Sequence, residues 1–280
     1  MYDVIIPLDK SHLKQLLVNI NFIRKNIQFS KIKILCDKKI IPLIPNDKDI
    51  ECLDEDNIGN FDLKKIQDLI KMRGGDHNRA GWYFQQFLKM EYAFICKDKY
   101  YLIWDADTIP LSEIRFFSDD KKMLFNRKKE HHIPYFCTLD ILFNKNLFYD
   151  RKSFITEGMI IECKIMKEII NDIKNNNEIY GNSWIEKIIY AISLEDIDKA
   201  GFSEFETYGN YILNKYPDKY KERNLKTLRN GMAKYGKILS YKELSKLDLD
   251  TITFENWNKN KKFSSKMKAF FRRTKLYINL

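Results

Sequence analysis

The chain begins with the apolar run Asp3-Val-Ile-Ile-Pro-Leu8 and returns to a second such run at Lys31-Ile-Lys-Ile-Leu-Cys-Asp37. Between them, apolar residues recur at helical spacing, namely Leu13, Leu16, Leu17, Ile20, Ile23 and Ile27. A strand, an amphipathic helix and a second strand in this order predict a βαβ unit. Because such a unit places its strands parallel in one sheet, the start of the chain predicts an α/β fold.

Later patterns extend this fold with further helices and strands. They predict a short strand near 50–53, a strand over 153–161, helices over 61–72, 81–94, 163–175 and 182–194, and a helix that begins near Ser203. The sequence contains no internal repeat and no low-complexity linker. We therefore expect one domain over residues 1–258, with a mostly parallel central sheet flanked by helices.

Composition limits the class of protein. The 280 residues are 44% hydrophobic and 14% aromatic, which is enough to bury a substantial core. The five cysteines are scattered without a Cys-x-x-Cys pair, which argues against a disulfide framework or a structural zinc site and favours a reducing cytoplasm. The N-terminus has no signal-peptide pattern, and no apolar run is long enough to span a membrane.

The basic charge is concentrated at the C-terminal end. Residues 259–280 carry eight Lys and Arg residues and no acidic residue, which leaves +2 of the net +10 for residues 1–258. This placement argues against a nucleic-acid partner. Phe263, Met267, Phe270 and Phe271 add an apolar stripe to the tail, as in helices that bind anionic membranes. We expect a cytoplasmic protein, peripheral at the inner face of the cytoplasmic membrane; the alternative is a solvated terminus.

A third apolar run ends in two aspartates. The run Tyr100-Tyr-Leu-Ile-Trp-Asp-Ala-Asp-Thr-Ile109 predicts a buried strand that is followed directly by Asp105 and Asp107. Carboxylate oxygens suit Mg²⁺ or Mn²⁺, and ligands of open α/β sheets bind at the carboxyl ends of strands. The pair therefore predicts a metal site, with an ordinary aspartate turn as the alternative.

Other polar residues occur in apolar surroundings. Gln85 and Gln86 lie within the aromatic helix 81–94, and two adjacent amides are costly to bury without partners. Glu157 interrupts the predicted strand over 153–161. Glu204 and Glu206 begin the helix after Ser203, where Ser203 and Glu206 have the spacing of a capping box. These side chains are candidates for ligand contact.

With these residues in view, the chain resembles the Asp-x-Asp glycosyltransferases of the GT-A fold, and in particular the bacterial DUF6492 glycosyltransferase-like family. The resemblance rests on four segments that occur in order: residues 79–89, 101–111, 153–159 and 202–210. It implies a hexosyltransferase that takes a UDP-sugar and transfers the sugar to a hydroxyl of a cell-surface polysaccharide or lipooligosaccharide precursor. The acceptor would be a glycan or a lipid-linked glycan.

The resemblance also implies roles for individual residues. Asp105 and Asp107 would hold Mn²⁺ or Mg²⁺ against the donor diphosphate. Contacts to the donor are expected from the end of the first strand, from the helix that precedes the metal strand and from the residues beside the two aspartates; these are Pro7, Leu8, Arg79, Trp82, Gln85, Gln86, Trp104 and Ala106.

An inverting transfer would also need a carboxylate that accepts the proton of the acceptor hydroxyl. Glu204 is the first choice, with Glu206 and Glu157 in reserve. Each has an alternative role: an ion pair for Glu204, a helix cap for Glu206, and orientation of the donor sugar for Glu157. A retaining mechanism would need no such base. His131 or His132 could be a third metal ligand or contact phosphate, or be structural.

Two other classes of protein compete with this interpretation. A nucleotidyltransferase or a metal phosphohydrolase also uses aspartate-held metals, but a sugar nucleotidyltransferase would carry a glycine-rich basic loop after its first strand. Here that position is Asp9-Lys-Ser-His-Leu13. The remaining alternative is a non-enzymatic scaffold that acts at a membrane surface through its tail.

Overall fold

A computed structural model describes residues 1–147, 149–150, 152–236, 238–255 and 272. The predicted membrane-surface helix of the tail therefore lies outside the described residues, apart from Arg272. Among the residues that are described, no helix combines the length and the apolar character that crossing a membrane requires.

The described residues form strands and α-helices in alternation. The strands are β1 Asp3–Pro7, β2 Ile32–Cys36, β3 Ile50–Asp54, β4 Tyr100–Trp104, β5 Thr108–Pro110, β6 Met123–Asn126, β7 Gly158–Glu162, β8 Tyr220–Arg223, β9 Thr227–Leu228 and β10 Thr251–Thr253. The helices are α1 Leu13–Asn26, α2 Leu63–Met72, α3 Ala80–Ile95, α4 Ile133–Leu142, α5 Cys163–Asn175, α6 Trp184–Ala191, α7 Glu204–Lys215, α8 Gly231–Tyr235 and α9 Tyr241–Leu244.

The chain divides into two compact units. The first unit contains Met1–Pro7, Phe29–Ile103 and Phe116–Arg223. Its main sheet has the strand order β3-β2-β1-β4-β7, and β1 pairs in parallel with both β2 and β4. Strands β2 and β3 are also parallel. The carboxyl ends of these parallel strands lie along one edge of the sheet, where β1 ends at Pro7 and β4 at Trp104.

Aromatic side chains form much of the core of the first unit. Phe87 of α3 is fully buried and meets the Trp184 ring edge to face, with ring centroids 5.4 Å apart. Phe61 packs against the same two rings, also edge to face. Such contacts add to the free energy gained by burying apolar area. They fix α3, which carries the predicted Gln85 and Gln86, beside the start of α6.

A second sheet in the same unit pairs β6 with β8 in parallel. The guanidinium of Arg127, just after β6, is 2% exposed and forms ion pairs with Asp150 and Glu222. It also lies 4.4 Å from the centroid of the Phe154 ring. Since an unpaired buried charge is costly, we expect Arg127 to require these partners for its buried position.

The second unit contains Leu8–Gln28, Trp104–Arg115 and the described residues from Asn224 onward. Its sheet has the order β5-β10-β9, with β10 antiparallel to β5 and parallel to β9. Helix α1 packs on this unit's β5. The core is formed by buried apolar side chains, among them Phe22, Ile109, Leu244, Ile252 and Phe254.

The fold class predicted from the sequence is confirmed. Strands β1 and β2 flank α1 in the chain and pair in parallel, with Val4 opposite Ile32. The predicted helix over 163–175 coincides with α5, and the predicted helix over 182–194 is present as the shorter α6.

The strand predicted over 153–161 is wrong in its first half, because β7 begins only at Gly158. Ser153 forms an isolated bridge with Lys128, and the N–H of Phe154 donates to the carboxylate of Glu206 instead of to a neighbouring strand. A side-chain acceptor therefore takes the place of strand pairing in this segment.

Candidate functional site

Asp105 and Asp107 lie in a tight turn directly after β4. The N–H of Thr108 donates to the carbonyl of Asp105 at 3.1 Å, which closes the turn. The buried indole of Trp104 donates from Nε1 to the carbonyl of Thr108 at 2.8 Å. Both aspartates are half-buried, whereas Ala106 between them is buried. The turn thus presents two carboxylates on either side of one buried alanine.

Side-chain and backbone donors of the second unit hold the carbonyls of this turn. The Nδ2 of Asn19, on α1, lies 3.5 Å from the carbonyl of Asp105 and 3.4 Å from that of Ala106. The N–H of Phe254, just after β10, donates to the carbonyl of Asp107 at 3.0 Å. Three successive carbonyls therefore have donors, which restricts the backbone that carries the two carboxylates.

The donor chemistry of this turn fits a hard divalent cation. Asp105 and Asp107 provide two carboxylates, and in the part of the chain that the structure describes no group of three His, Cys, Asp or Glu side chains is arranged to hold a metal. Mg²⁺ commonly binds through one or two carboxylates and completes its coordination with water and substrate phosphate. Two carboxylates therefore match a metal that is shared with a phosphorylated ligand.

His12 was not among the residues predicted from the sequence, and the structure places it near Asp105. Burial lowers the pKa of His12, while the negative charges of Asp9 and Asp105 oppose that shift. The net effect favours a neutral imidazole, the form that can accept a hydrogen bond or bind a metal. The position of His12 soon after β1 could have identified it, since the carboxyl edge of the sheet was the expected site.

Within the first unit, Glu204 at the start of α7 is tied to α3. Its Oε1 lies 2.8 Å from Nζ of Lys89, and the two side chains are 4% and 10% exposed. The backbone N–H of Glu204 donates to Oε1 of Gln86 at 3.1 Å. Glu204 therefore forms the ion pair that was the alternative to a catalytic role. Its partner Lys89 had not been identified from the sequence.

The side-chain amide nitrogen of Gln86 is buried and lacks a hydrogen-bond acceptor among the described residues. The residue is 3% exposed, and its Nε2 has no hydrogen-bond partner among the described residues. A buried donor without a partner costs about 1–3 kcal/mol, and such groups often mark a site for a ligand or an ordered water. Gln85 is half-buried. Of the two candidate amides, Gln86 is therefore the one with an unpaired buried donor that a polar ligand could accept.

Glu206 faces the segment before β7. Its carboxylate accepts hydrogen bonds from Ser153 Oγ, from the N–H of Phe154 at 3.1 Å and from Nδ2 of Asn210 at 2.9 Å. Ser203 caps α7 by accepting the N–H of Glu206, as its position predicted. Burial raises the pKa of Glu206, and the three hydrogen bonds oppose that shift. In this structure Glu206 joins α7 to the segment 153–154.

The remaining candidates of the first unit also have protein partners. Glu157 is buried and forms an ion pair with Lys128 at 2.8 Å. His132 Nε2 lies 2.8 Å from the carbonyl of Ala200, and His131 stacks on Phe136 with ring centroids 4.2 Å apart. A structural role explains these contacts of both histidines.

Arg79 and Trp82 lie together at the start of α3. Arg79 is exposed and its guanidinium is 5.6 Å from the centroid of the half-buried Trp82 ring. Pro7 is buried at the end of β1 and Leu8 is 2% exposed. Of the predicted donor contacts, Arg79 is therefore the one whose side chain is open to solvent.

Comparison with solved structures supports the fold class. The galactosyltransferase LgtC, in complex with donor and acceptor sugar analogues, is similar with a TM-score of 0.50 and 10% identity over 99% of this chain and 96% of that one. Mouse xyloside xylosyltransferase 1 in its apo form gives a TM-score of 0.47 and 11% identity over 92% and 99% of the two chains. At this identity the likeness to LgtC concerns the fold alone, a GT-A fold with a mostly parallel sheet flanked by helices.

The sequence itself assigns the family. Residues 16–274 match the family of unknown function DUF6492, and the chain belongs to that family. No curated protein gives a significant match to the sequence. The resemblance drawn from the four sequence segments is thus confirmed at the level of the family and of its glycosyltransferase-like fold.

Proposed function

We propose that this protein is a metal-dependent glycosyltransferase that transfers a sugar from a UDP-sugar to a hydroxyl group of a cell-surface polysaccharide or lipooligosaccharide precursor. The observation that carries the proposal is the turn of Asp105 and Asp107, which follows a central parallel strand of a GT-A-like fold. In open α/β sheets the carboxyl ends of the strands are where ligands bind. The hydrogen-bonded carbonyls of the turn support a preorganised site.

In this proposal Asp105 and Asp107 hold Mn²⁺ or Mg²⁺ together with the donor diphosphate. When bound there, the metal would supply Lewis-acid stabilisation for the negative charge that develops on the leaving diphosphate. The exposed guanidinium of Arg79 and the neighbouring Trp82 ring are suited to bind the donor through charge and stacking. The unpaired Nε2 of Gln86 is suited to donate to a sugar or phosphate oxygen.

Glu204 is the residue that we propose accepts the proton of the acceptor hydroxyl. Its carboxylate lies at the start of α7 and forms an ion pair with Lys89, with Oε1 2.8 Å from Nζ. This ion pair fixes the carboxylate in one position, and a base must lie within hydrogen-bond reach of the proton that it takes.

The test is a thermal-shift screen of nucleotide sugars with and without Mn²⁺. A ligand that binds only the folded state raises the midpoint of unfolding, so we expect a UDP-sugar to raise it only when Mn²⁺ is present. Asp105→Asn and Asp107→Asn should remove this metal-dependent shift, whereas the exposed Asp119→Asn serves as the matched control and should retain it. If UDP, GDP, CMP and dTDP donors all fail to shift the wild type, the proposal is wrong.

We further propose that residues 259–280 bring the enzyme to an anionic membrane surface, where a lipid-linked acceptor would be found. The support is the charge of that segment, eight basic residues and no acidic one. The full chain should sediment with vesicles that contain anionic lipid and not with neutral vesicles. A chain that ends at residue 258 should lose this binding while keeping its response to nucleotide sugar.

A further inference from the structure

Two cysteines that are distant in sequence meet at one backbone carbonyl of the first unit. Cys96 directly follows α3, and Cys163 is the first residue of α5. The Sγ of Cys96 lies 3.5 Å from the carbonyl oxygen of Asp98, and the Sγ of Cys163 lies 3.3 Å from the same oxygen. The N–H of Cys163 also donates to the carbonyl of Lys99 at 3.0 Å, which holds the start of α5 against this segment.

The two thiols influence each other's acidity. Interaction with Cys163 lowers the pKa of Cys96, and interaction with Cys96 together with burial raises the pKa of Cys163. Cys96 is half-buried and Cys163 is 6% exposed. Since the thiolate is the nucleophilic form of cysteine, the more exposed member of the pair is also the more reactive one.

Cys36 and Cys52 differ from Cys96, because their pKa values are raised and not lowered. Burial raises the pKa of Cys36 to about 12 and also raises that of Cys52. These two residues lie on the neighbouring strands β2 and β3, where Cys52 pairs in register with Ile34 and Cys36 with Asp54. They are therefore offset along the strands and are held as thiols, which makes them an internal comparison for the pair at Cys96 and Cys163.

We propose that Cys96 and Cys163 are a site of reversible oxidation, at which a hydroperoxide converts the two thiols into a disulfide. The Cys96 thiolate attacks the peroxide, the O–O bond breaks, and Cys96 becomes a sulfenic acid while the second oxygen leaves as water or an alcohol. The sulfur of Cys163 then attacks the sulfenic sulfur and displaces water. In total, two thiols are oxidised to one disulfide and one hydroperoxide is reduced. A dithiol reductant returns the disulfide to two thiols by exchange and is itself oxidised to a disulfide.

The bond would join the end of α3 to the start of α5. The segment that it closes, residues 96–163, contains β4, the Asp105–Asp107 turn and β7. A crosslink of this kind removes conformational freedom from the unfolded chain, so the oxidised protein should unfold at a higher temperature than the reduced protein. Both sulfur atoms already lie within 3.5 Å of the carbonyl oxygen of Asp98, which limits the movement of α3 and α5 that the bond requires.

The experiment treats the full-length reduced protein with hydrogen peroxide and counts free thiols before and after. We expect the count to fall from five to three, the mass to fall by two hydrogen atoms, and peptide mapping to join Cys96 to Cys163. Dithiothreitol should restore all five thiols and the original midpoint of unfolding. An unchanged count, a bond between Cys36 and Cys52, or oxidation of Cys96 to a sulfinic acid without a bond would each overturn the proposal.

Serine variants provide the matched controls. Cys96→Ser and Cys163→Ser should each prevent the loss of two hydrogens, whereas Cys137→Ser, which alters an exposed cysteine on α4, should leave it intact. Far-ultraviolet circular dichroism checks that each variant is folded. If one variant does not fold, peptide mapping of the wild type still shows whether Cys96 and Cys163 form a disulfide. Retention of the bond-forming reaction in Cys163→Ser would contradict the assignment.

Discussion

Lys89 and Glu204 form a buried ion pair that joins α3 to the first turn of α7, with Nζ 2.8 Å from Oε1. The Nζ of Lys89 also lies 4.8 Å from the centroid of the Phe205 ring. The acidic residue at the start of α7 is further favoured by the partial positive charge of a helix N-terminus. Two helices that are separated by more than a hundred residues in the sequence are therefore connected through one charge pair.

The first prediction concerns this pair. Lys89→Met leaves a buried carboxylate without its counter-charge and should lower the free energy of unfolding by about 3–5 kcal/mol. The double variant Lys89→Met/Glu204→Gln should cost much less than the sum of the two single variants. Urea denaturation of all four proteins measures the coupling. The exposed pair Lys226 and Asp248 is the control and should show little or no coupling; equal coupling in both pairs would contradict the prediction.

The second prediction uses the pH dependence of Glu206. Burial raises its pKa above the value of 4.5 that applies in the unfolded chain, so the folded state binds this proton more tightly. The stabilising contribution of Glu206 is fully present below the unfolded-state pKa of 4.5 and is lost as the pH rises through the higher folded-state pKa. Compared with Glu206→Gln, the wild type should therefore lose relative stability as the pH increases from about 4.5, the reference value of the unfolded carboxyl.

Glu222 provides a control of opposite sign. Burial alone would raise its pKa, but hydrogen bonds from Lys152 and Arg127 outweigh burial and lower it. Its contribution is therefore present above the unfolded-state pKa and is lost as the pH falls through the lower folded-state pKa. The stability difference between the wild type and Glu222→Gln should change with pH in the opposite direction. If the stability differences for Glu206→Gln and Glu222→Gln changed with pH in the same direction, the opposite pKa shifts of the two carboxyls would be refuted.

The third prediction concerns the packing of Gly209 in α7. A Cβ atom at this position would overlap the ring of Phe154. Gly209→Ala should therefore lower the free energy of unfolding by about 1–3 kcal/mol through overpacking, although alanine is the better helix former. Gly81 in α3 is a matched control because a Cβ there meets no atom within 4 Å. Gly81→Ala should stabilise the protein by about 0.5–1 kcal/mol; a stabilising Gly209→Ala would be incompatible with the packing.

The fourth prediction concerns the support of the aspartate turn. Asn19 is fully buried and its Nδ2 contacts the carbonyls of Asp105 and Ala106. Asn19→Leu keeps the size of the side chain but removes this donor, and we expect it to lower the free energy of unfolding by about 1–2 kcal/mol. It should also raise the Mn²⁺ concentration that is needed for the nucleotide-sugar thermal shift.

Asn21 lies on the exposed side of the same helix and provides the control. Asn21→Leu should leave the Mn²⁺ requirement unchanged. If Asn19→Leu binds metal and donor as the wild type does, the hydrogen bonds of Asn19 do not organise the turn.

Local sequence was sufficient for the elements that carry a clear period. The apolar runs at residues 3–8 and 31–37 predicted parallel strands because an isolated pattern of strand, helix and strand has few ways to bury its apolar residues. Helix α5 was placed without error for the same reason, since its apolar residues repeat along one face. Asp105 and Asp107 were placed at a strand end by the run that precedes them.

Only the tertiary structure decided the partners of the buried charges. Lys89 for Glu204, Lys128 for Glu157 and Ser153 for Glu206 come from segments that are remote in the chain, and no local period encodes such pairs. The same is true of Cys96 and Cys163, which the sequence showed only as two scattered cysteines. Periodicity specifies which face of an element is buried, whereas the identity of the group it meets depends on how distant segments pack.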